Sequence, residues 1–285
     1  MTSPWLERRV IAFAHQGGAF EGPSSTLFAI SHALEQGAQA IELDVHATKD
    51  RQLVVCHDET VDRTTNHQGA IARLSLSELR DMDNAYWWIY GEAVTRDHVE
   101  RDYVHRAKAP RERRFGIVTL EEVVTAFPGV LLNLDIKTTT PTTEPYEQLL
   151  ADELRRLERI DSVIVASFHD QAIQAFRAVA PNVATSAATA ETAAFYFSLR
   201  ESERPLVPPV CAFQVPATYG DLAIVDEQFV EGAHRAGVAV HVWTLNEVDE
   251  MARMLELGVD GIMSDTPTSL VQLLRNRNCA WNGVL

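Results

Sequence analysis

Apolar and polar positions along the chain fall into two alternating regimes, short runs of β-branched or apolar residues and longer stretches with helical periodicity. The short runs are Val10 to Ala14, Ala40 to His46, Val130 to Ile136, Val163 to Ser167, Val183 to Ser186, Cys211 to Val215, Ala239 to Thr244 and Gly261 to Ser264. Helical stretches between them include Ser25 to Gln36, Leu120 to Ala126, Pro145 to Leu157, Asp170 to Ala178, Glu227 to Ala236, Glu247 to Leu257 and Thr268 to Arg275. This alternation predicts repeated βα units on a parallel sheet. Eight such strands with return helices predict an α/β fold closed as a single (β/α)8 TIM barrel. The rhythm breaks after Leu53-Val54-Val55-Cys56-His57, in a stretch that runs to about Gly116 and contains the aromatic run Tyr86 to Tyr90. It reads as a small insertion between strands two and three, at about residues 60–115, whose aromatic residues either pack on the barrel or line a substrate mouth. A length of 285 residues suits one domain, 1–285, because an α/β barrel takes roughly 250 residues.

Several ionisable residues occupy places in or just after these runs where a fold would normally put Val or Leu: His15, Glu42, Asp44, His57, Asp58, Asp135 and Lys137. Side chains at i and i+2 of a strand share a face. Glu42 and Asp44 therefore point one way, and so do Asp135 and Lys137. Two buried carboxylates of like sign either shift toward the neutral form or recruit a cation. Carboxylate oxygens with no thiolate nearby favour a hard ion, Mg2+ or Ca2+, over a structural zinc.

Forty acidic residues against 25 basic ones give a formal net charge of -15. That balance argues against a nucleic-acid or anionic-membrane binder, and it means that an anionic substrate needs local positive charge. The three cysteines, Cys56, Cys211 and Cys279, are widely spaced and odd in number, and read as packing residues. The opening stretch Met1 to Arg9 has no apolar leader, and no later run approaches the roughly 18 apolar residues of a membrane span. No stable membrane insertion and a cytoplasmic location are expected.

Taken in order, these residues resemble the glycerophosphodiester phosphodiesterase family. That family reads His-Arg-Gly after strand one, Pro-Glu-Asn-Thr at the next helix, Glu-x-Asp on strand two and His-Asp soon after. It continues with Glu-x-Lys on strand three, Trp-Thr-x-Asn near the penultimate strand and a closing Gly-x-Asp-Gly-Ile-x-x-Asp-x-Pro. Here the counterparts are His15-Gln16-Gly17, Pro23-Ser24-Ser25-Thr26, Glu42-Leu43-Asp44, His57-Asp58, Asp135-Ile136-Lys137, Trp243-Thr244-Leu245-Asn246 and the run from Gly258 to Pro267. Thr60 to Thr65 also looks like the segment after the family's second histidine. The resemblance implies a barrel that cleaves a small-molecule glycerophosphodiester to glycerol 3-phosphate and an alcohol. It implies one divalent cation, Mg2+ or Ca2+, held by Glu42, Asp44 and Asp135. It further implies His15 and His57 as general acid and base, in an order left open, with Gln16, Lys137 and Trp243 meeting the substrate. The first nucleophile is either water or a neighbouring glycerol hydroxyl. Histidine suits both proton transfers near neutral pH, and a cation with Lys137 suits the developing phosphoryl charge.

The chain departs from the family pattern in three places. Gln16 stands where a phosphate-clamping Arg is expected, Ser24 and Ser25 replace Glu-Asn, and Asp135 replaces Glu. An amide only partly replaces a bidentate guanidinium, but an Arg and a Glu are lost together, which keeps the formal charge of the site. Plainer readings also exist. Glu42 and Asp44 could face solvent on an edge strand, Asp135 and Lys137 could be a structural ion pair, and Trp243 could be core. Asp58 reads as an orienting or turn residue, and His46, His169 and His241 near strand ends are given no chemistry. Two other functions stand beside the main one: a lysophospholipase D type activity, suggested by Tyr86 to Tyr90 and Phe195-Tyr196-Phe197, and a non-catalytic phosphodiester-binding protein.

Overall fold

Each apolar run forms a strand in the computed structural model, which describes Trp5 and residues 10–202 and 205–279. The opening stretch read above for a leader lies outside these residues, Trp5 aside. The barrel strands are β1 (Ile11–Ala14), β2 (Ala40–Ala47), β3 (Leu131–Ile136), β4 (Val163–Ala166), β5 (Ala184–Thr185), β6 (Ala212–Pro216), β7 (Ala239–Trp243) and β8 (Gly261–Ser264). Each is followed by a helix: α1 (Leu27–Gln36), α2 (Leu120–Ala126), α3 (Glu147–Arg156), α4 (Asp170–Val179), α5 (Thr189–Glu201), α6 (Glu227–Arg235), α7 (Val248–Leu257) and α8 (Pro267–Asn276). Neighbouring strands pair in parallel in the cyclic order β5-β4-β3-β2-β1-β8-β7-β6. A parallel bridge between Ser186 and Ala212 brings the two ends of that path together. The protein is thus a (β/α)8 barrel, the closed solution for parallel strands whose outer faces are covered by helices.

Helix ends carry the expected local chemistry. Thr26 accepts from Ala29 N at the start of α1, Thr119 and Glu122 form a capping box on α2, and Asp226 accepts from Phe229 N on α6. α5 was not among the helices read from the sequence. It carries the run Phe195-Tyr196-Phe197 that suggests a lysophospholipase D type activity. Phe195 and Tyr196 are buried while Phe197 is exposed, and Phe195 stacks on Phe213 of β6 with ring centroids 4.4 Å apart.

Strand alternation separates two cores. Ile41, Leu43 and Val45 of β2 and Leu132, Leu134 and Ile136 of β3 face the helices. Ile11, Phe13, Ala40, Leu131, Ile164, Ala212, Ala239 and Met263 fill the barrel interior together with Trp5. The same alternation turns Glu42, Asp44 and His46 inward from β2, and all eight residues of that strand are buried. Apolar packing therefore fills the interior near the strand starts and gives way to ionisable groups toward the strand ends.

β2 is longer than its neighbours because its far end pairs antiparallel with Leu53–Val55, which in turn pairs antiparallel with Val118–Thr119. This hairpin opens the insertion and turns His57 back to the end of β2. The aromatic run of the insertion is largely occupied internally. Trp88 donates to Ala19 O at 2.9 Å, Trp87 donates to Thr65 O at 2.8 Å, and the Arg106 guanidinium lies over the rings of Tyr86, Trp87 and Tyr103 at 4.7, 4.4 and 3.9 Å. Among the described residues no helix is long and apolar enough to cross a membrane.

His241, on β7, lies in the apolar part of the interior with its ring 4.9 Å from that of Phe13. Gly261 beside it leaves the space this ring needs, since a Cβ there would come within 2.9 Å of His241 Cδ2 and 2.7 Å of Phe13 Cε2. Burial pushes His241 down from 6.5 to about 4, and its Nε2 has no hydrogen-bond partner. The folded protein holds it neutral while the unfolded chain protonates it below 6.5. Its contribution to stability is therefore complete above pH 6.5 and is lost as the pH falls toward 4, at about 1.4 kcal/mol per pH unit. Urea unfolding at successively lower pH should show a His241→Leu variant losing that much of the wild-type slope; parallel slopes would refute the linkage.

Candidate active site

The ionisable groups gather at the C-terminal end of the barrel, where side chains leaving several strands converge. His15 follows β1 in a tight turn (His15–Gly17) in which Gln16 takes a left-handed φ of 52°. Its Nδ1 lies 2.7 Å from Asp265 Oδ1, just beyond β8, and its Nε2 lies 3.8 Å from Glu42 Oε2 on β2. Asp265 is itself anchored. Asn246 Nδ2 donates to its Oδ2 at 2.9 Å, and its own N–H donates to Asn246 Oδ1 at 2.8 Å. Burial alone would lower the His15 pKa. The hydrogen bond to Asp265 and the charges of Glu42, Asp265 and Asp44 outweigh it and push His15 up to about 9.

His57 is built the same way. Its Nδ1 lies 2.7 Å from Asp58 Oδ1, and Arg63 grips the same carboxylate with a two-pronged contact, Nε to Oδ2 at 2.7 Å and Nη2 to Oδ1 at 2.9 Å. Burial raises the Asp58 pKa, but the bonds from His57 and Arg63 prevail and hold this carboxyl well below the usual range. The strand end is fixed by Cys56 N, which donates to Asp44 O at 3.0 Å. In both dyads the aspartate engages Nδ1, which leaves Nε2 as the nitrogen for chemistry.

Asp44 and Asp135 sit directly opposite one another in the β2–β3 register. The Lys137 ammonium bridges them, 2.9 Å from Asp44 Oδ1 and 3.1 Å from Asp135 Oδ2. Burial lowers the affinity of Lys137 for its proton, yet Asp44, Asp135 and Glu42 together raise it, so the lysine stays cationic. Burial and then the Asp44 charge push Glu42 up to about 8, against the opposing pull of His15 and Lys137. Burial likewise raises Asp135. Among the described residues no group of three or more His, Cys, Asp and Glu side chains stands preassembled for an ion. The predicted set Glu42, Asp44 and Asp135 is thus not a ready-made cage, because Lys137 supplies the nearest positive charge. The set nevertheless suits a hard cation: Asp44 Oδ2 and Asp135 Oδ1 are buried without a hydrogen bond, and all three carboxylates come from neighbouring strands.

Gln16 lies in this cluster, its N–H donating to Glu42 Oε2 at 2.9 Å and its Oε1 accepting from Ser24 Oγ at 2.9 Å. Trp243, half-buried at the end of β7, meets Phe168 edge to face with centroids 5.4 Å apart, and Lys137 Nζ lies 5.7 Å from the Phe168 ring. Phe168, Asp265, Asn246 and Arg63 had been given no role from sequence. Phe168 and Asp265 each stand just past the end of a strand, the position that could have flagged them. His46 is buried beneath His57, 3.5 Å from its carbonyl, and burial pushes it down to about 4. The polar loop after Lys137 turns inward, Thr138 N donating to Tyr146 Oη and Thr139 Oγ1 to Glu147.

Known proteins resemble this chain over most of its length. Residues 15–269 match the model of the glycerophosphoryl diester phosphodiesterase family. A curated glycerophosphodiester phosphodiesterase of Caldanaerobacter subterraneus is 30% identical over 94% of this chain and 98% of its own length. A human lysophospholipase D is 25% identical over 92% of this chain and 85% of its own length. Among solved structures, a glycerophosphoryl diester phosphodiesterase described as putative, from Silicibacter pomeroyi, superposes with a TM-score of 0.75 at 20% identity, covering 98% of this chain and all (100%) of its own. An Oleispira antarctica phosphodiesterase solved with its product sn-glycerol-3-phosphate gives 0.71 at 21% identity, covering 95% of this chain and 99% of its own.

The pKa of Glu42, raised to about 8, carries a sign for cation binding. A carboxyl that holds its proton near neutral pH must release it to coordinate an ion. Calorimetric titration of Mg2+ or Ca2+ into the metal-free protein near pH 7, in buffers of different ionisation enthalpy, should show protons released on binding. Release should shrink in Glu42→Gln. Binding with no proton release would contradict the assigned charge state.

Proposed function

The chain belongs to the glycerophosphoryl diester phosphodiesterase family and is a phosphoric diester hydrolase; on that basis we propose that it cleaves glycerophosphodiesters to glycerol 3-phosphate and an alcohol by histidine acid-base chemistry. The observation that carries this reading is the pair of histidines held through Nδ1 by aspartates at 2.7 Å, at the same end of the barrel as Glu42, Asp44, Asp135 and Lys137. The product bound in the structurally similar Oleispira antarctica enzyme supports the substrate class.

The two dyads differ in charge, and that difference assigns their roles. The Asp58 carboxylate is shared between His57 and the cationic Arg63 guanidinium. Among the described residues the second side-chain partner of the Asp265 carboxylate is the neutral amide of Asn246, so its charge falls on His15. His15 therefore enters the reaction as the imidazolium and gives its proton to the leaving alkoxide. His57 accepts the proton of the attacking hydroxyl. Lys137 lies where it can offset charge on a phosphoryl oxygen, and the half-buried Trp243 with Phe168 forms an aromatic wall beside it. A divalent cation held by Glu42, Asp44 and Asp135 would add Lewis-acid neutralisation of the phosphoryl oxygens.

Release of glycerol 3-phosphate from glycerophosphocholine, with the purified protein stripped of metal and then given Mg2+ or Ca2+, tests the reaction. Activity should appear with the cation and vanish with chelator. His15→Ala and His57→Ala should each lower turnover on the order of 100-fold or more. With a nitrophenyl diester, whose leaving group needs no proton, His15→Ala should recover most of its loss and His57→Ala should not. Equal losses on both substrates would refute the assigned roles.

A further inference from the structure

Two of the positions where the chain departs from the family pattern are in contact, and we propose that together they set the phosphate charge the site prefers. Gln16 and Ser24 form a neutral, mutually dependent pair that favours a monoanionic phosphodiester over the dianionic phosphomonoester released from it. This inference rests on the hydrolytic reading above and concerns the same site.

Ser24 Oγ donates to Gln16 Oε1 at 2.9 Å, with both residues buried at 4% and 7% exposure. In this arrangement the amide oxygen faces the Ser24 hydroxyl. The oxygen is engaged by Ser24, and the Nε2 group is turned toward His15 Nε2, 3.4 Å away. Gln16 thus presents an uncharged N–H donor to the space beside His15 where the phosphoryl group must lie. The pair is held from both sides. Ser25 N donates to Gln16 O at 2.8 Å, and both of these residues adopt a left-handed φ, 58° and 52°. Asn84 Nδ2 donates to Ser24 O at 2.9 Å, and Thr64 Oγ1 donates to Asn84 Oδ1 at 2.6 Å. Every member of this chain of contacts, from the insertion to the site, is uncharged.

The family pattern has Arg and Glu at the places of Gln16 and Ser24, two residues of opposite sign. Replacing both leaves the net charge unchanged but changes what faces the ligand. A guanidinium attracts a second negative charge on phosphorus in full, whereas an amide donor gains little from it. With Gln16 in place, the extra charge that appears when the diester becomes a monoester finds no added partner, and product is held less tightly relative to substrate. Ser24 acts as a positioning residue, because its hydroxyl is the hydrogen-bond partner that anchors the far end of the Gln16 side chain beside His15.

The test compares the inhibition constant of glycerol 3-phosphate with KM for glycerophosphocholine, on the metal-loaded full chain about two pH units above the phosphate's second pKa of about 6, where the product is a dianion. Gln16→Arg/Ser24→Glu should lower that ratio on the order of tenfold or more relative to wild type, and the isosteric Gln16→Glu should raise it by a similar factor. Gln16→Glu keeps the size of the side chain and the acceptor for Ser24, so it reads the charge at this position even if the larger double variant does not fold. Ser24→Ala should raise KM more than it lowers kcat, and Ser24→Thr should restore it. A ratio unchanged in both charge variants would overturn the proposal. If the folded wild type turned over no diester, the hydrolytic reading itself would fail, and calorimetric dissociation constants of the same two ligands would still give the ratio that decides this one.

Discussion

The mouth of the barrel depends on the ammonium of Lys137 lying between Asp44 and Asp135. Those two aspartates face each other across a parallel strand pair, and parallel register leaves them no freedom to separate. Without a cation, two carboxylates this close and this buried cannot both ionise. The lysine two residues beyond Asp135 on the same strand face supplies the first unit of neutralisation. Two carboxylate oxygens are still left without hydrogen bonds. The site is thereby poised between protonation and cation binding, the condition in which a hard ion adds most.

The rest of the barrel holds this charged cluster in place. Apolar side chains fill the interior near the strand starts, from Trp5 and Phe13 to Leu131 and Met263, and exclude water from below. Helices cover the outer faces of the same strands. The long β2 strand with its antiparallel hairpin carries His57 back to the rim, where a parallel strand alone would have continued away toward its helix. The turn after β1 brings His15 against Glu42 and Asp265. Two histidines from different loops reach the same end of the barrel with the same nitrogen engaged, and differ in what else touches their aspartates and in the Glu42 carboxylate beside His15.

Much of this was legible in the chain. The eight strands, the insertion and the inward direction of Glu42, Asp44, Asp135 and Lys137 follow from the period of two along apolar runs, because that period is set by local backbone geometry. α5 was harder. Its Phe195-Tyr196-Phe197 run is equally apolar on every side, and only contact with Phe213 and Phe229 shows which faces are core. The aromatic run at Tyr86 is ambiguous in sequence for the same reason, and only the Arg106 guanidinium among its rings shows how it is occupied.

The sequence by itself determined the fold class and the residue types at the strand ends, because patterning and strand spacing are local properties that a single chain displays. Only the tertiary structure decided which groups answer one another: Asp265 for His15 across 250 positions, Arg63 for the Asp58 charge, Lys137 between two aspartates, and Ser24 for the Gln16 amide. These partnerships rest on distances of about 3 Å between atoms that closure of the barrel brings together. No periodicity along the chain encodes them, because each is set by the register of neighbouring strands and the path of the loops that join them.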